Sequence, residues 1–189
     1  MAALDHIILL LSFVFALAIA HLLSRVGSLM AERERVRFSA LQAFMIVNAL
    51  VMVFLNWISL YYLRNIRQWD LATVTILFVF ALLTYLLCAA AAPEIPSEGT
   101  IDLEKVYWKS HRLFYGLTFL MVSSATLMFV FQPLNLKLYV WYNVLPNLPF
   151  FVPSILALTV RARWAQWASA VGLFAASVWW MFAFNNMMK

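Results

Sequence analysis

From Leu71 to Ala92 the chain reads LATVTILFVFALLTYLLCAAAA, with no charged side chain between Asp70 and Glu94. An α-helix needs about 20 apolar residues to cross the hydrocarbon layer of a bilayer, so this stretch is read as a membrane-spanning helix. The rest of the chain repeats the pattern. Of 189 residues 66% are hydrophobic and 11% charged, and mean hydropathy is +0.89. Soluble domains carry about 25% charged residues, so a soluble enzyme and a disordered tail are both excluded.

Apolar runs bounded by charge or proline predict six crossings, at 7–30, 38–62, 71–92, 113–131, 138–160 and 164–184. The expected fold is an all-α integral membrane bundle in one domain, 1–189, with a proline-kinked fifth helix. The first run resembles a secretory signal ending in Ala18-Ile19-Ala20. No Lys or Arg precedes it, however, and it continues through Leu22 and Leu23, so it is read as retained.

Lys and Arg are held on the cytoplasmic side of a membrane. Loops after the first, third and fifth crossings hold eight basic residues: Arg33, Arg35, Arg37, Lys105, Lys109, Arg112, Arg161 and Arg163. The opposite side holds four, Arg64, Arg67, Lys137 and Lys189. Both termini are therefore expected outside, which in a bacterium is the periplasm. The net charge of +5 then records loop anchors beside anionic lipid, and nucleic acid is not an expected partner. The one long cytoplasmic loop, 93–112, opens with Pro93 and Pro96. It then offers Thr100 as an N-cap, followed by an amphipathic lead-in with Tyr107 and Trp108 at headgroup depth.

Helices in lipid meet through small residues and a few polar bonds. Ser12, Ala16 and Ala20 form one such seam and Ala168, Gly172 and Ala176 another. They are expected to pack on one another or across a homo-oligomer interface. Cys88, the only cysteine, is read as a packing residue.

Two polar constellations stand out. On the first helix His21, Ser24, Arg25 and Ser28 share one third of the circumference. His111 and Arg112 begin the fourth crossing on the same side. One reading is a site for an anion or lipid headgroup built from His21, Arg25, His111 and Arg112; the other is a snorkelling arginine with His21 bonded to a neighbouring helix. His21 and His111 also permit a haem b site with two axial nitrogens. The second constellation is a polar path: Asn48 and Asn56 on the second helix, with Tyr142, Asn143, Pro146, Asn147 and Ser154 along one face of the fifth. Pro146, Pro149 and Pro153 remove amide donors there, and the freed carbonyls must face protein or water. The competing reading is interhelical hydrogen bonding alone.

No carboxylate falls inside a predicted crossing, which disfavours carboxylate-based proton coupling. No Walker loop, metalloprotease helix or nucleophile elbow appears, so no catalytic residue and no metal ligand set is assigned. The segments Ala18-Ile19-Ala20-His21-Leu22-Leu23, Arg33-Glu34-Arg35 and Tyr107-Trp108-Lys109-Ser110-His111-Arg112-Leu113-Phe114 together resemble small bacterial inner-membrane proteins. That resemblance implies a multi-pass topology and a bacterial source, and transfers no catalytic residue. Three functions stay open: a non-enzymatic homo-oligomeric channel or small-solute transporter, a haem-binding redox subunit, and an accessory scaffold of a larger membrane complex.

Overall fold

A computed structural model describes residues 2–65, 69–92, 94, 99–128, 140 and 144–187. Among them the fold is all-α, with six helices: α1 Ala2–Ala31, α2 Ala40–Ser59, α3 Leu71–Ala91, α4 Leu103–Leu127, α5 Leu148–Thr159 and α6 Arg163–Met187. Three are long and apolar enough to cross a membrane, over Asp5–Ala31, Ala40–Ser59 and Leu71–Ala91. The apolar stretch Leu145–Thr159 is shorter; it consists of a 3₁₀ turn, Leu145–Asn147, running into α5 with Pro153 inside the helix. Residues 129–139, where the fourth expected crossing ends and the fifth begins, lie outside the described residues, as do Tyr142 and Asn143.

Two short strands organise one end of the bundle. β1, Val36–Arg37, precedes α2, and β2, Ile101–Asp102, precedes α4. They pair in parallel, with Val36 opposite Ile101 and Arg37 opposite Asp102. Arg35 Nε donates to Gly99 O at 3.0 Å, and Arg37 pairs with Asp102 at 3.8 Å. Gly99 holds φ at +88°, a left-handed conformation that a Cβ would strain. Leu29, Ile101 and Leu103 close a small apolar cluster beneath the strands. Arg163 meets Glu104 at 3.6 Å, so α6 starts from this basic end as well. In consequence α2, α4 and α6 run in one direction and α1, α3 and α5 return.

The strand pairing also explains where α4 begins. Asp102, not Thr100, is the cap: its carboxylate accepts from the amides of Glu104 and Lys105 at 3.0 and 3.2 Å. The expected lead-in and residues 113–127 of the expected fourth crossing lie in one unbroken helix. At the other end of the bundle Asp70 caps α3, accepting from Thr73 N at 2.7 Å.

Packing places α3 against α1, α2 and α4, and α5 between α4 and α6, with α2 touching α4 and α6. Aromatic edges hold the pairs: Phe15 on Phe80 between α1 and α3, Phe44 on Trp167 and Phe174 between α2 and α6, and Phe119 on Phe151 between α4 and α5. The two small-residue seams do not meet one another. Ala16 and Ala20 are exposed on α1, whereas Gly172 faces Pro153 of α5, 3.6 Å from where its Cβ would lie. A proline ring leaves little room for a neighbouring helix, and the glycine supplies it.

Two outcomes follow from these contacts. Gly172→Ala should be tolerated, because 3.6 Å is ordinary contact, while Gly172→Ile should lose about 1–3 kcal/mol by driving branched carbons into Pro153; thermal unfolding in detergent reads the difference. Asp102→Ala should cost about 1 kcal/mol and Asp102→Asn much less, since asparagine also caps. Equal loss in both variants would transfer the role from the cap to the Arg37 ion pair.

Candidate functional site

The polar residues inside the bundle are best followed from the backbone groups they serve. A helix C-terminus leaves carbonyl oxygens without amide partners, and an apolar interior has no water to meet them. Gln42, in the first turn of α2, donates Nε2 to Ala91 O at the end of α3, at 2.7 Å. Gln166, in the first turn of α6, donates Nε2 to Ala157 O and Val160 O at the end of α5, at 3.0 and 2.7 Å. Its Oε1 accepts from Tyr107 OH on α4 at 2.8 Å. Both glutamines are fully buried. Each follows a similar basic turn, Arg35-Val36-Arg37-Phe38 or Arg161-Ala162-Arg163-Trp164, which is the one signal in the chain that points to them.

His111 lies one turn beyond Tyr107 on the same face of α4. It is 1% exposed and stacked on Tyr107, with ring centroids 5.6 Å apart and planes 21° off parallel. Its Nδ1 is 3.0 Å from Trp108 O. A carbonyl only accepts, so Nδ1 carries the proton and Nε2 of the neutral ring is a bare lone pair. That Nε2 has no partner among the described residues. The charges of Arg112 and Arg161 both bear on this ring.

The residues expected to bind an anion or lipid are distributed differently. His21 leans on Tyr85 of α3 at 5.9 Å, and Arg25 pairs with Glu94 at 3.4 Å on the surface. Arg112 is exposed. Among the described residues, no hydrogen bond, ion pair or ring contact joins His21 or Arg25 to His111 or Arg112.

The expected polar path can be followed residue by residue. Asn48 Nδ2 donates to Ala170 O on α6 at 3.0 Å. Asn56 Nδ2 donates to Thr84 Oγ1 on α3 at 3.0 Å and lies 3.2 Å from Met121 Sδ on α4. Asn147 Nδ2 donates to Thr126 Oγ1 on α4 at 3.0 Å, and Ser154 Oγ to Phe150 O within α5 at 2.7 Å. Pro146 is half-buried in the 3₁₀ turn. Three of these residues thus tie one helix to another.

An open cleft of about 850 Å³ lies at the basic end, beside the strands. Glu34, Arg35, Arg37, Glu94, Asp102 and Lys105 line it, and their alternating charge favours no one sign of ligand. Among the described residues no three His, Cys, Asp or Glu side chains gather in a metal-binding arrangement. Comparison with protein-family models, curated proteins and solved structures finds no match.

The glutamine caps make a measurable demand on stability. Gln166→Leu leaves two carbonyls without donors and Tyr107 OH without this acceptor, so it should lose on the order of 3 kcal/mol, whereas Tyr107→Phe leaves Gln166 Oε1 alone unpaired and should lose about 1 kcal/mol. Unfolding of both variants in one detergent checks the order; equal losses would mean that Gln166 is not the hub.

Proposed function

We propose that the chain is a multi-pass protein of a bacterial inner membrane, with six crossings and both termini periplasmic, that acts without catalysis as an accessory subunit of a larger membrane assembly. One observation carries this reading: Asn48, Asn56 and Asn147 each donate to a different helix, so the polar residues most suited to a conduit are used as interhelical ties. A subunit built that way is a rigid platform. The exposed apolar faces of α1 to α3 supply the surface that lipid or a partner helix covers, with Leu9, Phe13, Leu71 and Phe78 among their large side chains. The asymmetry of basic residues between the two sets of loops supports the orientation.

A second reading, a solute or ion path within a homo-oligomer, draws on the 3₁₀ turn Leu145–Asn147. There the apolar stretch changes from 3₁₀ to α-helix among prolines, as backbone lining a cavity does. A haem bridging His21 and His111 would need both rings to face one cavity; among the described residues His21 leans on Tyr85 and His111 on Tyr107.

Mild solubilisation of a tagged chain from its own membrane, followed by size analysis and proteoliposome flux of small ions, separates the first two. The accessory reading expects a second polypeptide in fixed stoichiometry and no flux above protein-free vesicles. A homo-oligomer that conducts would overturn it in favour of the path.

A further inference from the structure

Three buried polar atoms on three helices have no hydrogen-bond partner among the described residues: His111 Nε2 on α4, Asn48 Oδ1 on α2 and Ser169 Oγ on α6. Their identities are set by chemistry. Asn48 turns its amide nitrogen to Ala170 O and His111 turns Nδ1–H to Trp108 O, and a carbonyl only accepts. The unpartnered atom on each is therefore an acceptor, with the second amide hydrogen of Asn48 beside it, while the Ser169 hydroxyl can donate or accept.

Their common level follows from two bonds and the helical rise. Tyr107 on α4 bonds Gln166 on α6, which aligns these two co-directional helices. Four residues on, about 6 Å along each axis, come His111 and Ala170. Asn48 is itself bonded to Ala170 O, and Ser169 is the residue before it. All three residues are at most 1% exposed, and α2 packs on both α4 and α6.

An unsatisfied buried polar atom costs about 1–3 kcal/mol. A small bridging molecule with two or more hydrogens to donate removes that cost for several atoms at once. The charge of the surroundings selects its class. Arg112 and Arg161 bear on His111, Tyr107 on its own helix is a neutral phenol, Asn48 and Ser169 are neutral, and among the described residues no buried carboxylate is there to attract a cation. We propose that His111 Nε2, Asn48 Oδ1 and Ser169 Oγ form an internal binding site for a small neutral hydrogen-bond donor, of which water is the smallest member. The site is independent of whether the chain is an accessory subunit or a conduit.

Ring-¹⁵N NMR tests it on the full chain in lipid nanodiscs, in a His6→Gln, His21→Gln background that leaves His111 as the only histidine. The expected spectrum has Nδ1 protonated and Nε2 unprotonated but displaced from the bare-nitrogen position, as in a hydrogen-bond acceptor. Ser169→Ala, which removes one anchor of the bound donor, should move Nε2 back towards the bare value. Magnetisation transfer from water to Nε2 identifies water as the occupant; a displaced Nε2 without that transfer identifies another retained neutral solute, and either supports the site. A bare Nε2, a proton on Nε2, a haem absorption band that shifts in His111→Gln, or a displaced Nε2 unmoved by Ser169→Ala would overturn it.

Discussion

Carbonyl groups at the ends of α3 and α5 govern this bundle. In an apolar interior each needs a donor, and the fold supplies one from the first turn of the helix that runs the other way: Gln42 for α3 and Gln166 for α5. The geometry is reciprocal. A glutamine reaches the preceding turn only when its own helix starts at the depth where the other stops, so each bond fixes the relative height of two helices. Tyr107, accepted by Gln166, passes that height on to α4. The start of α2 is thereby tied to the end of α3, and the starts of α4 and α6 to the end of α5.

Ion pairs contribute less to this arrangement than their number implies. Arg25–Glu94, Arg37–Asp102 and Arg163–Glu104 each have one partner more than 60% exposed, and surface pairs of that kind are worth about 0–1 kcal/mol. The strands β1 and β2 hold the same end through backbone bonds and the Leu29, Ile101 and Leu103 contact. Hydrogen bonding and packing, more than charge, set where the helices sit at that end.

Hydropathy is local, which is why runs 7–30, 38–62 and 71–92 in the sequence correspond closely to α1, α2 and α3. Partners are not local. Thr100, with Asp102 and Glu104 following it, is a plausible N-cap in the sequence, yet the pairing of Ile101 with a strand sixty-odd residues away moves the cap to Asp102. Likewise the asparagines could be recognised as polar residues in apolar helices, but not that Asn48 faces α6 while Asn56 faces α3 and α4. The basic turns mark where Gln42 and Gln166 stand, but a glutamine beside such a turn reads as an interfacial residue. Only the ends of α3 and α5, brought near by the fold, make it a buried one.

The form of α1 constrains what surrounds it. Its buried positions, Leu11, Phe15, Ala18, Leu22 and Leu29, follow a spacing of four and three, the narrow two-in-seven seam of a coiled coil. In a water-soluble bundle the remaining five positions in seven would be polar. Here they include Leu9, Leu10, Phe13, Leu17 and Leu23, all more than 40% exposed. Such a helix gains little from its own bundle and would pay heavily to face water, so its outer surface calls for hydrocarbon or an apolar partner helix. Hydrocarbon wets Leu and Phe without shape complementarity, whereas a second helix would have to fit the notch left by Ala16 and Ala20. The proposed accessory role thus asks more of α1 than membrane insertion does, and the small residues on its outer face are where that additional demand would be met.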